Sequence, residues 1–362
     1  MRSPLPFLLL VVLLIFRLSV ASADESLQLW QTNAYGDDIH VVDVASHALI
    51  QRLVVGPNPH GIATDRKQET VYVTIERNGE DQGELLWIDP TSFAIKHRLT
   101  VGPEPHQLAV SPDGRFAYVP CRDEHYWVID TRSREVVTRI HTGGRPHNTS
   151  ASPDSRFMYL SPMGSPRAVT IVDIEAGHRI VGKIPFDDSV RPPALSADGQ
   201  HLFQHIDGLN GFQAASIEDR RVISTVKHST RLGLIPLGFA GWLGFSGLKR
   251  CHGLEIRPDQ AEIWSVCGNG VTVHDLTRHS YPEVTRLTLK KNGYWLTFSP
   301  DSLWAFVALA GIGEVAVIDV QNLEVVAHIQ AGKGPKRNLV IAPHRESIIQ
   351  SQLGANSSLD MP

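Results

Sequence analysis

The chain alternates short runs of apolar and polar residues with tight turns over most of its length. Residues 107–110 and 115–121 form two such runs on either side of the turn Ser111-Pro112-Asp113-Gly114. Alternation with a period of two predicts β-strands. Proline presets the backbone angle of the turn, and glycine allows the chain to leave it. Each such unit therefore predicts an antiparallel hairpin.

The same unit is repeated seven times. Its first residue is, in chain order, His60, His106, His147, Arg191, His252, Tyr294 and Arg337. A second landmark is an acidic residue at the end of a later strand, which recurs every 41 to 57 residues at Asp43, Asp89, Asp130, Asp173, Glu218, Asp275 and Asp319. A period mostly in the forties with about four short strands per unit is typical of a propeller blade. The sequence therefore predicts an all-β fold, a seven-bladed β-propeller.

The two ends of the chain must meet to close the ring, because an open ring leaves two unpaired sheet edges. Strands over residues 27–33, 39–44 and 49–55 are predicted to complete the blade that begins at 338–342. Residues 348–353 are a second candidate for the position predicted for 27–33, and the sequence leaves both open. Residues 354–362 are small and polar, which predicts a flexible tail.

The first 23 residues have the pattern of a secretory signal peptide. Arg2 supplies a positive charge, residues 5–16 an apolar run, and Ala21-Ser22-Ala23 a small-residue cleavage pattern. An uncleaved membrane anchor is the alternative, but the apolar run is short for a bilayer span. We expect a propeller over residues 24–353 of a periplasmic or secreted protein, with no transmembrane helix in the mature chain.

Composition and motifs exclude some classes of function but do not identify one. The formal net charge is −4 and no basic run occurs, which argues against nucleic-acid binding. No Gly-x-Ser-x-Gly elbow, His-Glu-x-x-His helix or phosphate-binding glycine loop is present. The motifs therefore do not decide whether the protein is an enzyme.

Several motifs resemble the YVTN-type β-propeller repeat family. The segment Val71-Tyr72-Val73-Thr74 matches the motif that names the family, and residues 29–33 match it more weakly. The Ser-Pro-Asp-Gly turns and the return Gly56-Pro57-Asn58-Pro59-His60 are also similar. Related exported propellers include haem-d1 domains, the copper domain of nitrous oxide reductase, amine-dehydrogenase chains and lactonases. The resemblance implies the fold, whereas the function depends on the site.

The seven repeated first residues are the candidate ligand-binding residues. Each lies where the chain returns to the propeller axis, so we expect a ring at one mouth of the channel: His60, His106, His147, Arg191, His252, Tyr294 and Arg337. The four histidines are candidate ligands for a transition metal, and the arginines favour an anionic ligand. A purely structural role for the ring is the alternative. The catalytic residues, if any, are unknown from sequence.

We therefore expect a binding or scaffold protein that holds a metal, a small anionic molecule or a tetrapyrrole at this mouth. In the tetrapyrrole hypothesis a histidine binds the iron, arginines bind carboxylates, and the apolar segment 232–248 forms a wall. One alternative is a metal-dependent enzyme of the lactonase or lyase type, although the ring offers no carboxylate ligand. Another is an interaction module in which a protein partner covers segment 232–248.

Two of the three cysteines are predicted to be close in space. Cys251 and Cys267 flank one hairpin and should lie nearly opposite each other. A disulfide is the first interpretation for an exported protein. A metal site made of Cys251, His252 and Cys267, or free thiols, are the alternatives. Cys121 would have no partner.

Overall fold

The computed structural model describes residues 27–229 and 251–343, and these form seven four-stranded antiparallel sheets. The seven-bladed β-propeller predicted from the sequence is confirmed. The predicted signal peptide, the apolar segment 232–248, the candidate strand 348–353 and the tail 354–362 lie outside the described residues. None of the described residues forms a helix long and apolar enough to cross a bilayer.

Each blade has an inner strand at the axis, two middle strands and an outer strand. Blade 1 comprises β4 (Pro59–Thr64), β5 (Val71–Ile75), β6 (Gly83–Ile88) and β7 (Ile95–Val101). Blade 2 comprises β8 (Ala109–Val110), β9 (Phe116–Pro120), β10 (His125–Asp130) and β11 (Glu135–His141). Blade 3 comprises β12 (Arg145–Ala151), β13 (Phe157–Met163), β14 (Ala168–Asp173) and β15 (Arg179–Pro185). Blade 4 comprises β16 (Val190–Leu195), β17 (His201–Ile206), β18 (Gly211–Ser216) and β19 (Arg221–Lys227). Blade 5 comprises β20 (Cys251–Ile256), β21 (Glu262–Cys267), β22 (Gly270–Asp275) and β23 (Glu283–Thr288). Blade 6 comprises β24 (Leu296–Phe298), β25 (Trp304–Leu309), β26 (Glu314–Asp319) and β27 (Glu324–Gln330). Blade 7 comprises β28 (Pro335–Ile341), β1 (Gln28–Asn33), β2 (Asp38–Asp43) and β3 (Leu49–Val54).

Strands from the two ends of the chain close the ring in blade 7. β1 pairs with β28 on one side and with β2 on the other. Side chains reinforce the pairing, since Gln31 Nε2 donates to the carbonyl of Arg337 at 2.8 Å and the amide of Arg337 donates to Thr32 Oγ1 at 3.2 Å. The predicted strand 27–33 therefore occupies the position next to β28.

The repeated polar residues of the sequence stabilise turns. In the turn before β9, Ser111 Oγ donates to Asp113 Oδ1 at 2.6 Å, and the same hydroxyl accepts the amide of Phe116 at 3.0 Å. The aspartate that ends β10 has a similar role, because Asp130 Oδ1 accepts two amides of the following turn at 2.9 Å. Such side-chain bonds to nearby amides stabilise tight turns.

The hydrophobic core lies between the blades. The described residues form seven buried clusters, and each cluster combines side chains from two adjacent blades. Trp30 of blade 7, for example, is fully buried in a cluster with Ile62 and Val73 of blade 1. The middle strands are covered on both faces, whereas an outer strand such as β7 alternates half-buried and exposed residues. This packing fixes every inner strand around one axis.

Candidate functional site

The seven ring residues lie where the inner strands leave regular pairing. In five blades the register shifts at the ring residue: His60, His147, Arg191, His252 and Arg337. His106 and Tyr294 lie just before their inner strands begin. Bulges of this kind change the direction of a side chain. The bulges free five of the seven ring residues from regular strand pairing, and the other two precede the paired part of their strands.

Three of the predicted histidines form a stack. The ring centroids of His60 and His106 are 3.8 Å apart, and those of His106 and His147 are 4.0 Å apart. His60 and His147 are buried, while the side chain of His106 is 16% exposed. Burial holds the pKa of all three imidazoles well below 6.5, and nearby cations lower it further. The stack is therefore neutral at pH 7.

A buried carboxylate, which the sequence analysis missed, lies against this stack. Glu76 follows the end of β5; it forms a hydrogen bond with His60 Nδ1 and lies 3.4 Å from His106 Nε2. Burial raises its pKa to about 7, although Lys336 and other cations oppose the rise. A sequence signal existed, because Asp207 also follows its ring residue, Arg191, by 16 positions and pairs with it at 2.6 Å. The end of the second strand in a blade faces its own ring residue.

Two cations lie on the other side of the mouth. Arg337 is fully buried, and its Nη2 donates to Asn148 Oδ1 at 3.2 Å. Because Asn148 belongs to blade 3 and Arg337 to blade 7, this guanidinium spans the channel axis. It also lies 3.7 Å from the ring centroid of Trp295. Its Nε and Nη1 atoms have no hydrogen-bond partner in the described part of the chain.

Lys336 is the second cation, and its ammonium group lies over the rings of Tyr35 and Tyr294 at 5.0 and 5.6 Å. Burial lowers the pKa of Arg337 to about 10 and also lowers the pKa of Lys336. Arg337 therefore stays charged at pH 7. His252 completes this side of the mouth, with its ring 4.6 Å from that of Tyr294.

The four predicted metal ligands are not equivalent. Among the described residues at the mouth, the compact donor group is His60, Glu76 and His106, whose ligand atoms lie within 4.8 Å of one another. His147 contacts His106 through its ring face, and His252 contacts Tyr294. Neither belongs to that donor group. The candidate metal site in the structure therefore consists of two of the four predicted histidines, His60 and His106, and the carboxylate of Glu76.

The cysteines form a separate feature beside the mouth. Cys251 and Cys267 lie directly opposite each other on β20 and β21 and are joined by a disulfide, with a Cα–Cα distance of 4.1 Å. Cys121 is a buried free thiol, and burial raises its pKa.

The channel continues from the mouth as a cavity of about 400 Å³ lined by the inner strands. Glu255 of β20 and Asn338 of β28 line it. Burial alone raises the pKa of Glu255 to about 8. The mouth therefore combines the cations Arg337 and Lys336 with Glu76, whereas Glu255 is the one carboxyl group among the residues that line the cavity.

Comparison with known proteins identifies others that share the propeller fold. The cytochrome D1 heme domain family matches residues 66–185, a segment that contains Glu76, His106 and His147. The chain also resembles a solved dihydro-heme d1 dehydrogenase in complex with DHE, with 16% identity, a TM-score of 0.60, and coverage of 86% of this chain and 65% of that chain. This chain is a β-propeller that resembles the cytochrome D1 heme domain family over residues 66–185.

Other solved structures share the propeller fold at similarly low identity. A periplasmic gluconolactonase of Pseudomonas aeruginosa has 18% identity and a TM-score of 0.71, and the match covers 88% of this chain and all of that chain. Hydrazine synthase of Kuenenia stuttgartiensis has 18% identity and a TM-score of 0.66, with 78% and 95% coverage. No curated protein matches the sequence significantly. At these identities the likeness establishes the fold, and the YVTN repeat stays a prediction.

Proposed function

We propose that this β-propeller is an exported binding protein that holds an anionic ligand at its mouth, and that the ligand is a tetrapyrrole with carboxylate side chains. The observation that carries the proposal is the guanidinium of Arg337. It is fully buried, yet two of its three nitrogens have no hydrogen-bond partner among the described residues. A buried charge without a partner is costly, and an anion placed beside it removes that cost.

The charge balance of the mouth supports an anion. Arg337 and Lys336 form no ion pair with a carboxylate in the described part of the chain, whereas Arg191 is paired with Asp207. Among the described residues, Glu76 is the carboxylate grouped with the imidazoles of His60 and His106, and with a pKa of about 7 it is only partly charged at neutral pH. The local charge is therefore positive, although the whole chain has a formal net charge of −4.

The histidine stack supports a tetrapyrrole rather than a simple anion. His106 is neutral, its side chain is the most accessible of the stack at 16% exposed, and its buried Nδ1 has no hydrogen-bond partner among the described residues. These properties would suit a residue that holds a haem-type iron, and the aromatic rings of Tyr294 and Trp295 would offer apolar contact beside the cations. When bound, such a group would supply redox or ligand-binding chemistry at its iron. The chain itself would hold the iron with His106 and the carboxylates with Lys336 and Arg337.

Titration of the purified protein with hemin tests the proposal. We expect a saturable shift of the Soret band at one hemin per chain. His106→Ala should remove the spectrum of histidine-ligated iron. Arg337→Gln should weaken binding about 10- to 100-fold, since hydrogen bonds to charged groups contribute about 1.5–3 kcal/mol. His141→Ala, at an exposed histidine far from the stack, is the matched control.

Two results would contradict the proposal. One is the absence of saturable binding by wild-type protein that is folded by circular dichroism. The other is a His106→Ala variant with the same affinity and spectrum as the His141→Ala control. Absorbance of protein purified from its own host adds an independent measurement, because a native tetrapyrrole would be visible before any titration.

A metal-dependent hydrolase is the second candidate, and one observation favours it. Glu76 supplies the carboxylate that the ring positions lack, and it lies within 4.8 Å of donor atoms of His60 and His106. Imidazole and carboxylate together suit Zn²⁺ and similar ions. A metal held there would act as a Lewis acid. The solved gluconolactonase of the same fold makes lactones the substrates to test.

Metal analysis and lactone hydrolysis distinguish this candidate. It predicts one metal ion per chain and a lactonase activity that is lost on chelation and in Glu76→Gln. A metal-free protein without activity towards lactones would exclude it and leave the tetrapyrrole proposal unaffected.

A further inference from the structure

A second group of potential metal ligands lies beside the mouth, around the disulfide. One ring nitrogen of His205 and the sulfurs of Cys251 and Cys267 lie within 4.8 Å of one another, and all three residues are buried. The cysteines belong to blade 5, while His205 is the penultimate residue of β17 in blade 4. The packing of two blades therefore brings an imidazole to a cysteine pair that is distant from it in sequence.

This histidine was not the one expected from the sequence. His252 is adjacent to Cys251 in the chain, but its ring lies against Tyr294 at the mouth. Neighbouring residues of a strand point to opposite sides. His205 reaches the sulfurs from the next blade instead.

The two ring nitrogens of His205 are bonded differently. Its Nε2 shares a hydrogen bond of 2.8 Å with Ser265 Oγ, and that hydroxyl lies 3.4 Å from Cys267 Sγ. Its Nδ1 is buried and has no hydrogen-bond partner among the described residues. Burial also holds the pKa of His205 well below 6.5, so the ring is neutral. An imidazole fixed on one nitrogen is the usual form of a metal-ligating histidine.

We propose that reduction of the Cys251–Cys267 disulfide creates a site for a thiophilic metal ion, with the two thiolates and His205 as ligands. A dithiol reductant supplies two electrons and two protons, so that the disulfide becomes two thiols and the dithiol becomes a disulfide. Binding of a divalent ion then releases the two thiol protons, because the thiolate is the metal ligand.

The spacing fits such a site. Zn–S bonds of about 2.3 Å and Zn–N bonds of about 2.0–2.1 Å place neighbouring ligand atoms of a tetrahedral site about 3.6–3.8 Å apart. Reduction itself separates the sulfurs, since two atoms that are no longer bonded move to van der Waals contact. Each nitrogen–sulfur distance, at most 4.8 Å in the oxidised protein, then needs to shorten by at most about 1.2 Å. Two sulfurs and one imidazole favour Zn²⁺ or Cu⁺ over hard cations.

This site is separate from the proposed tetrapyrrole site at the mouth. It uses none of His60, Glu76, His106 or Arg337, so the two proposals can fail independently. It also gives the mouth a link to redox conditions, because Cys251 directly precedes the ring residue His252 in β20.

Cobalt binding in two redox states tests the inference. The protein carries Cys121→Ser, so that the buried third thiol cannot contribute. Oxidised and dithiol-reduced samples are freed of reductant under anaerobic conditions and titrated with Co²⁺. We expect thiolate-to-cobalt charge transfer and tetrahedral ligand-field bands in the reduced sample alone. The bands should saturate at one Co²⁺ per chain and disappear when Zn²⁺ is added.

Variants identify the ligands. Cys267→Ser should abolish the charge-transfer band, and His205→Gln should weaken Co²⁺ binding at least 10-fold. His201→Gln, at the other end of the same strand, is the matched control. Equal spectra of the oxidised and reduced samples would overturn the inference, and this comparison needs no substitution in the site. Equal affinity of His205→Gln and His201→Gln would also overturn it.

Discussion

Replacing Glu76 with glutamine should change the pH dependence of stability in a defined direction. An unfolded glutamate loses its proton near pH 4.5, whereas burial raises the pKa of Glu76 to about 7. Between these values the folded chain holds a proton that the unfolded chain has lost. The free energy of unfolding therefore falls as pH rises from 4.5 to 7. Each pKa unit corresponds to about 1.4 kcal/mol, so the loss attributable to Glu76 is about 2–3 kcal/mol between pH 5 and pH 8.

Urea denaturation followed by tryptophan fluorescence measures this effect. We expect the stability of Glu76→Gln, relative to wild type, to increase by about 2–3 kcal/mol from pH 5 to pH 8. Glu69→Gln is the control, because Glu69 is an exposed carboxylate on the turn before the same strand. A difference between Glu76→Gln and wild type that is constant over this range would refute the reasoning and place Glu76 in a charge-stabilised pair.

Three further predictions concern packing and titration. Trp30→Ala should destabilise by about 3–5 kcal/mol in the same denaturation assay, and by clearly more than Trp304→Ala, because Trp30 is fully buried. Burial lowers the pKa of His228 to about 3, so wild type should lose about 2 kcal/mol of stability from this residue as the pH falls from 8 to 5. His228→Asn should not show this loss. Burial raises the pKa of Glu255 to about 8, so Glu255→Gln should be increasingly stabilising from pH 5 to pH 9. Equal dependence of stability on pH for variant and wild type would contradict the predictions for His228 and Glu255.

The fold was predictable because its signals are repeated. Seven copies of one hairpin pattern reinforce one another, and the strands predicted at 115–121 and 49–55 are observed at Phe116–Pro120 and Leu49–Val54. The inner strand of blade 2 is shorter than predicted, at Ala109–Val110 instead of 107–110. The reason is tertiary, since the amide of Gln107 donates to the carbonyl of His147 in the next blade at 3.2 Å. Local alternation cannot reveal a bond between blades.

The candidate site was predictable only in part. The repeat alignment identified the seven ring positions, because position in a repeat determines position around the axis. Glu76 was missed because it lies at the end of a different strand. His205 was missed because it reaches the cysteines from a neighbouring blade. The hydrogen bond between Arg337 and Asn148 crosses the axis and joins residues 189 positions apart in the chain. The repeat pattern of the sequence does not predict a contact at that separation.

The closure of the ring by β1 and β28 also determines the order of assembly. The hydrogen bonds that fix the backbone of Arg337 come from Gln31 and Thr32, more than 300 positions earlier in the chain. Contacts of such long sequence separation carry a large loop-closure entropy and form late in folding. A partly synthesised chain can pair the strands of blades 1 to 6 but lacks the strand that carries Arg337. The cationic side of the mouth is thus completed last, and binding at the mouth would report that the whole ring has closed.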